Sequence, residues 1–360
     1  MVRERKNKYT PDLVFPPGDT LKEVLEEIGM SQAELAERMA VTSKHVNSIV
    51  KGKASITEDT ALRMERVLGV PASFWENLEQ QYRSYLARKQ ERERLVEKKG
   101  WLARFPVNEM IKRRWIQKCN DPIEQLKELL TFFRVASWES FEDIWTEKGV
   151  AYRKSKAFKV NSYALAAWLR KGEVEAESIK CDSFNEKGFK RQLKEIRKLS
   201  MELPDVFLPQ IKELCAECGV VVVFLKELPE IRVSGVTKWI RPDKALIQMS
   251  DRYKSDDHFW FTFFHEAGHI LLHGKRDVFI ENETAMPEDP KEEEANQFAR
   301  DLLIPPKEYR KLTVKKPSLD DVEIFANRLQ ISPSIVVGRL QRDKILSFSV
   351  GNKFKQKIEF

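Results

Sequence analysis

The residues with the clearest chemical potential are two histidines and a glutamate in the C-terminal half of the chain. His265, Glu266 and His269 form a His-Glu-x-x-His pattern, and four of the five histidines lie between positions 258 and 273. On a helix, residues four apart lie one turn apart on one face, so both imidazoles can bind one Zn²⁺. Glu266 is rotated by about 100° from His265, so it can reach a water on the metal without being a ligand. This spacing predicts a zinc site with a general base.

A catalytic zinc site also needs a third protein ligand. His273 continues the spacing, but it lies about 12 Å along the helix axis from His265, so these two side chains cannot easily share one ion. The next predicted helix offers Glu292, one turn before Asn296, whose amide can hydrogen-bond a ligand imidazole. Glu293 could be the ligand instead if the register differs by one residue. Consecutive glutamates also suit an ordinary exposed helix start.

The elements around these residues predict an α+β arrangement. The segment HFWFTFFHEAGHILLHG predicts a long apolar helix that ends near Gly274, and EEEANQFARDLLIP predicts a second helix that ends before Pro305-Pro306. Three short strands are predicted by the β-branched run after Gly219 and by the segments VSGVTKWI and KALIQMS. An extended substrate is expected along an edge strand, for which VSGVTKWI is the candidate.

A second candidate site lies near the N-terminus, where short helical patterns follow one another. Ser31 and Glu34 form a predicted capping box at the start of one helix, and Thr42 is the predicted N-cap of the next. In that next helix the apolar side chains face inward and the polar ones face out. A recognition helix must present short polar and basic groups to the major groove. The alternative is an ordinary helical bundle with a solvated polar face.

The exposed face of this helix predicts two kinds of contact with DNA, to base edges and to phosphates. Lys44 and Asn47 are suited to base edges, whereas hydroxyl and further lysine side chains are suited to phosphates. The predicted DNA-binding residues are Thr42, Ser43, Lys44, Asn47 and Lys51.

Two family resemblances add to these patterns. SQAELAERMAVTSKHVNSIVKGKASIT resembles the XRE-type helix-turn-helix, and LGVPASFWENLEQQY is similar to its HigA antitoxin branch. The resemblance implies operator DNA as a partner, often bound as a homodimer, and a base-facing role for Ser43, Lys44 and Asn47.

HEAGHILLH followed by EEEANQFARDLLIP resembles the ImmA/IrrE metallopeptidases. This second resemblance implies a zincin-like domain with Zn²⁺ as cofactor. It also implies His265, His269 and Glu292 as ligands, Glu266 as base and Asn296 as support.

Length and composition set the framework for these sites. At 360 residues the chain is longer than one hydrophobic core normally spans, so more than one domain is expected. Its formal charge of +7 is compatible with a polyanionic partner. No run of about 18 apolar residues appears, and the basic start lacks the apolar stretch of a secretory signal, so we expect a cytoplasmic protein. Cys215 and Cys218 form a Cys-x-x-Cys pair that we interpret as buried, unreactive thiols rather than a metal or redox site.

The predicted fold class is mainly α and multidomain, with an N-terminal all-α helix-turn-helix bundle, a helical middle region and a C-terminal α+β zincin-like domain with a small sheet. The predicted domains are the helix-turn-helix, the helical middle region, the peptidase domain and a helical extension, at residues 1–98, 99–204, 205–312 and 313–360.

The predicted function is that of a DNA-binding regulator with a zinc-dependent peptidase domain. Glu266 is expected to take a proton from water and to deliver it to the leaving amine. The oxyanion partner stays open between Tyr253, His258 and Arg300. The expected substrate is a regulatory protein in a toxin–antitoxin or stress-response system. The alternative is a non-enzymatic antitoxin or repressor in which the zinc-site domain is structural, sensory or toxin-binding.

Overall fold

The protein consists of two compact units, Met1–Gly100 and Trp101–Phe360. Its structure, a computed structural model, describes residues 14–146, 161–252, 254–275, 278–281 and 290–359. The predicted fold class, mainly helical and multidomain with a small C-terminal sheet, is confirmed. The finer division of the second unit at residues 204 and 312 stays a prediction.

The N-terminal unit is a bundle of five helices in the described part of the chain. Leu35, Met64 and Trp75 are fully buried at its centre, where the apolar faces of the helices meet. The helices are α1 (Pro17–Glu27), α2 (Gln32–Arg38), α3 (Ser43–Val50), α4 (Glu58–Leu68) and α5 (Ala72–Glu97).

Side-chain caps set the starts of helices α2 and α3 as predicted. Ser31 accepts a hydrogen bond from the backbone amide of Glu34, and Thr42 accepts one from the amide of His45. The reciprocal half of the predicted capping box is wrong, because the carboxylate of Glu34 pairs with Arg38 at 2.6 Å instead of returning to the cap. An arginine one turn further along offers a charge-assisted partner on the same face of the helix.

The second unit begins with helices and continues into a sheet flanked by further helices. The helices before the sheet are α6 (Val107–Lys112), α7 (Pro122–Phe133), α8 (Trp138–Phe141), α9 (Ser162–Ser178), α10 (Glu186–Lys198) and α11 (Pro204–Ala216). The strands are β1 (Val220–Phe224), β2 (Gly235–Arg241), β3 (Lys244–Met249) and β4 (Val278–Glu281). The remaining helices are α12 (Asp256–Leu272), α13 (Pro290–Leu303), α14 (Pro306–Leu312), α15 (Leu319–Leu329) and α16 (Pro333–Arg342).

The sheet has the order β1-β3-β2-β4, with β1 parallel to β3 and with β2 antiparallel to both of its neighbours. The expectation that VSGVTKWI forms an edge strand is therefore wrong. Residues Gly235 to Lys238 pair with β4 on one side and with β3 on the other. The four residues of β4 come after helix α12 and satisfy the backbone groups that would otherwise form the edge.

Strand β2 lies between two helical layers that cover opposite faces of the sheet. The side chain of Thr237 contacts Glu266 on α12, whereas the next side chain, Lys238, contacts Glu173 on α9. Because successive side chains of a strand point to opposite faces, α12 and α9 lie on opposite sides of the sheet. Helix α9 is therefore a structural layer of the same unit as the candidate site.

The two cysteines of the Cys-x-x-Cys pair are free and buried in the core of this unit. Burial raises the pKa of the Cys215 thiol well above its usual value, and it also raises the pKa of Cys218. Both thiols are therefore held in the protonated, unreactive form.

Among the described helices, none is both long enough and apolar enough to cross a membrane.

Candidate metal centre and nucleic-acid interface

Helix α12 carries the predicted metal-binding histidines in the middle of the core. Residues Phe263, Phe264 and Ala267 of the helix pack into that core, and His265 and His269 are each only 1% exposed. The Nε2 atoms of the two histidines lie 2.9 Å apart, so the one-turn spacing directs both toward the same point.

Glu292 on helix α13 brings a carboxylate to the same point. Its Oε2 lies 3.2 Å from Nε2 of His265, and its Oε1 lies 3.5 Å from Nε2 of His269. Ligand atoms about 2.0–2.1 Å from a tetrahedral Zn²⁺ are about 3.3–3.4 Å apart. The distances between the three candidate ligand atoms, 2.9, 3.2 and 3.5 Å, lie on either side of that value. Among the described residues, these three form the one cluster of at least three potential ligand side chains that are close enough together to hold a metal ion. The donor set of two imidazoles and one carboxylate fits zinc.

The electrostatics of this cluster favour the forms that bind a cation. Burial lowers the pKa of His269 to about 4, so the imidazole is neutral near neutral pH. Burial alone would raise the pKa of Glu292, but hydrogen bonds with His265 and His269 outweigh it and bring the pKa to about 2. A neutral His269 imidazole and an ionised Glu292 carboxylate are the protonation states that a divalent metal requires of these ligands.

Each histidine is also held through its other ring nitrogen. Nδ1 of His265 lies 3.1 Å from Oδ1 of Asn296, one helical turn beyond Glu292. Nδ1 of His269 lies 3.0 Å from Nδ1 of His273, whose Nε2 lies 3.2 Å from Oε2 of Glu294.

Helices α12 and α13 can approach closely because position 268 carries no side chain. A Cβ atom at Gly268 would lie 3.1 Å from Cδ1 of Phe298 and 3.3 Å from Cα of Ala295, tighter than most real contacts. This glycine therefore lets α13 bring its carboxylate within reach of the two imidazoles. The ring of Phe279, on β4, stacks on His269 with centroids 4.0 Å apart and an interplanar angle of 11°.

Glu266 is fully buried, and its carboxylate contacts strand β2. The hydroxyl of Thr237 lies 2.5 Å from Oε2 of Glu266 and 2.9 Å from its backbone oxygen, and both atoms are acceptors for that hydroxyl. A Cβ atom at Gly235 would lie 2.5 Å from Oε1 of Glu266, so this glycine makes room for the carboxylate.

The predicted DNA-facing residues share one surface of the N-terminal unit. Helix α3 buries Val46, Ile49 and Val50 against the other helices. The opposite surface is exposed and carries all five predicted contacts: Thr42, Ser43, Lys44, Asn47 and Lys51.

Comparison with known proteins matches a part of each unit to a family model. Residues 21–75 match the family model described as Helix-turn-helix, and residues 215–341 match the one described as IrrE N-terminal-like domain. The chain joins a helix-turn-helix domain to an IrrE N-terminal-like domain. Both resemblances inferred from the motifs are therefore confirmed.

Individual relatives match the helix-turn-helix domain. Virulence-associated protein I of Dichelobacter nodosus is 39% identical over 67 residues, which are 18% of this chain and 62% of the relative. The uncharacterized HTH-type transcriptional regulator YddM of Escherichia coli K12 is 32% identical over 63 residues, which are 18% of this chain and 67% of the relative. The chain thus spans less than two thirds of the first relative and about two thirds of the second.

A solved structure, the Pseudomonas aeruginosa antitoxin HigA with the higBA promoter, is also similar to the helix-turn-helix domain. It is 32% identical, with 23% of this chain and 91% of that chain covered and a TM-score of 0.22. The two family models by themselves show a helix-turn-helix domain followed by a metallopeptidase-like domain.

The three candidates for an oxyanion partner in the IrrE N-terminal-like domain have different surroundings. Tyr253 lies outside the described residues. His258 lies seven residues before His265, about 10 Å along the helix axis. The guanidinium of Arg300 forms an ion pair with Glu293 and a hydrogen bond with Gln297 on its own helix.

Four residues that contact the candidate site were not assigned to it from the sequence: Gly235, Thr237, Phe279 and Glu294. The first three depend on strand pairing, and Glu294 depends on the packing of α13 against α12. His273 had a visible signal, since it follows His269 at the same four-residue spacing.

Proposed function

We propose that the protein is a DNA-binding transcriptional regulator whose C-terminal unit is a zinc-dependent peptidase acting on a regulatory protein. The observation that carries the proposal is the convergence of His265, His269 and Glu292 within the IrrE N-terminal-like domain. Glu266, the next residue after a candidate ligand, supplies a buried carboxylate that a purely structural metal site does not need.

His265, His269 and Glu292 would hold the zinc ion, with Asn296 orienting the first imidazole. When bound, zinc would supply a Lewis acid that polarises a carbonyl and increases the acidity of water. Glu266 then has the role of general base: its carboxylate takes a proton from the attacking water and later delivers it to the leaving amine. The hydroxyl of Thr237 restrains this carboxylate at one oxygen.

The sheet supports a position for an extended substrate. An extended peptide adds to a sheet through an unpaired edge. Because β4 pairs with Gly235 to Lys238, β4 is the edge strand on this side of the sheet among the described residues. An extended substrate would pair there, or it would replace β4 beside β2.

The regulatory class of substrate is supported by the combination of domains. A helix-turn-helix would bring the peptidase to promoters, where repressors and antitoxins are bound. A toxin–antitoxin or stress-response system is the setting that we propose, and its protein partner would be the substrate.

The peptidase proposal is tested with a single substitution and a matched control. The zinc-loaded full chain is incubated with the protein encoded beside it, and cleavage is followed by mass spectrometry. We expect wild type and Glu293→Gln to cleave, whereas Glu266→Gln retains zinc and does not cleave. Cleavage by Glu266→Gln would refute the role of this residue. Zinc binding by wild type without cleavage would favour the non-enzymatic antitoxin or repressor.

The DNA proposal rests on the exposed face of α3 and is tested on the DNA upstream of the protein's own gene. In a gel-shift titration, Asn47→Ala should weaken binding by about 1–3 kcal/mol, the range of a base-edge contact. Lys44→Ala should weaken binding too. If the lost ammonium group neutralises one phosphate, the slope of log affinity against log salt concentration should be smaller by about 0.9 for this variant.

The matched control is Lys89→Ala, which removes an exposed lysine from helix α5. It should leave both the affinity and the salt slope unchanged. Equal reductions in affinity for all three variants would mean that only net charge matters, and the assignment of α3 would be wrong.

A further inference from the structure

The two candidate zinc-binding histidines are supported by different kinds of group. His265 has an amide oxygen beside its Nδ1, from Asn296 on the neighbouring helix. His269 has a third histidine there, since its Nδ1 lies 3.0 Å from Nδ1 of His273. The side chain of His273 is only 3% exposed, so water does not replace this contact.

The positions of the ring nitrogens determine where the protons lie. The Nε2 atom of His269 faces the cluster and must be unprotonated to bind a cation, so its proton is on Nδ1. His269 therefore donates through Nδ1, and Nδ1 of His273 accepts. The proton of neutral His273 then lies on Nε2, where Oε2 of Glu294 is 3.2 Å away and can accept it. The three side chains form a consistent chain of donors and acceptors.

The end of helix α12 places His273 correctly for this contact. Its backbone is extended, with φ −118° and ψ 167°, so the helix stops at this residue and its side chain remains beside the preceding turn. Its ring lies 5.0 Å from the ring of His269 and 5.0 Å from that of Phe279, measured between centroids. The pocket around His273 is thus formed by α12, β4 and α13 together.

We propose that His273 and Glu294 are positioning residues for the metal centre: through His273, the carboxylate of Glu294 fixes His269 in the tautomer and orientation that present Nε2 to zinc. This inference rests on the proposed zinc site. It assigns a role to a histidine that lies too far along the helix from His265 to be a ligand, and to an exposed glutamate near the start of α13.

The test measures zinc affinity, using zinc alone as the probe in competition with a chromophoric chelator. Outer contacts of this kind change metal affinity by about 10–100-fold. We expect His273→Leu to bind zinc about 10–100-fold more weakly than wild type. His273→Asn should recover much of the affinity, since its Oδ1 can accept where Nδ1 of His273 accepts.

The acidic residue has its own matched pair of variants. Glu294→Ala should weaken zinc binding by a smaller factor than His273→Leu, because the imidazole remains in place. Glu293→Ala removes a neighbouring glutamate that pairs with Arg300 instead, and it should bind zinc like wild type. Far-UV circular dichroism of each variant in a metal-free buffer establishes that the fold is retained.

The outcomes separate the two proposals. If wild type does not bind zinc, the proposed metal centre fails and this inference fails with it. If wild type binds zinc and a folded His273→Leu binds it equally well, the metal centre stands and the positioning role is overturned. If His273→Asn is as weak as His273→Leu, the contact is a matter of packing rather than hydrogen bonding, and the proposal is also overturned.

Discussion

Replacing Gly235 with alanine should destabilise the C-terminal unit by about 1–3 kcal/mol, the usual cost of overpacking a buried site. The added Cβ atom would lie 2.5 Å from Oε1 of Glu266, 2.7 Å from Cγ2 of Thr262 and 2.8 Å from Cγ of Glu266. Ordinary contacts begin near 3.4 Å, so the neighbours would have to move by about 0.9 Å. Both of these side chains are buried, and the Glu266 carboxylate is also bonded to Thr237.

The sign of the effect makes this a sharp test. Gly235 does not have a positive φ, so alanine can adopt its backbone conformation. Without a steric conflict, the substitution would stabilise the protein by about 0.4–1 kcal/mol, because alanine reduces the entropy of the unfolded chain. A net loss of stability can therefore be attributed to the close approach of Glu266 and Thr262.

Differential scanning calorimetry in a metal-free buffer can measure the effect, because bound zinc would otherwise add its own stabilisation. For a unit of this size, each kcal/mol lowers the midpoint temperature by about 2–4 °C. In a Glu266→Ala background two of the three close atoms are absent, so Gly235→Ala should cost less there. An unchanged or raised midpoint for Gly235→Ala alone would refute the proposed packing of Glu266 against β2.

Three further changes test other parts of the structure. Gly268→Val should lower the thermal midpoint of the C-terminal unit and weaken zinc binding, because its side chain would push α13 away at Ala295. Ser31→Ala should cost the N-terminal unit about 0.5–2 kcal/mol in urea unfolding, since it removes the cap of α2. Cys215 and Cys218 should react with a thiol reagent much more slowly in the native protein than in urea, because burial raises the pKa of both.

The local features of the sequence were sufficient to predict the helices and the convergence of His265 and His269. The caps at Ser31 and Thr42 require only residues three positions apart, and the pairing of His265 with His269 requires only one helical turn. Glu292 as the third ligand was implied by the resemblance to the ImmA/IrrE metallopeptidases, whereas the spacing alone also allowed Glu293. Interactions of this range are determined by helix geometry alone.

The sheet and the surroundings of Glu266 could not be predicted in the same way. The edge position was assigned to β2 because the four residues of β4 give too short a pattern to recognise beside a long helix. Gly235 and Thr237 contact Glu266 only once β2 lies in register against α12, and the contact of Glu294 with His273 depends on how α13 packs. These contacts join segments far apart in the sequence, and the hydrophobic periodicity within a single segment carries no information about them.

Strand β2 joins the fold to the proposed chemistry through two consecutive side chains. Thr237 bonds Glu266 on one face of the sheet, and Lys238 pairs with Glu173 of helix α9 on the other. A slip of one residue would exchange the two faces, burying an ammonium group beside Glu266 and leaving Glu173 with Arg170 but without Lys238 as a partner. The ion pair with α9 therefore favours the register in which Thr237 faces Glu266, alongside the pairing of β2 with β3 and β4. The helical region before the sheet thus contributes to the site by supporting this register.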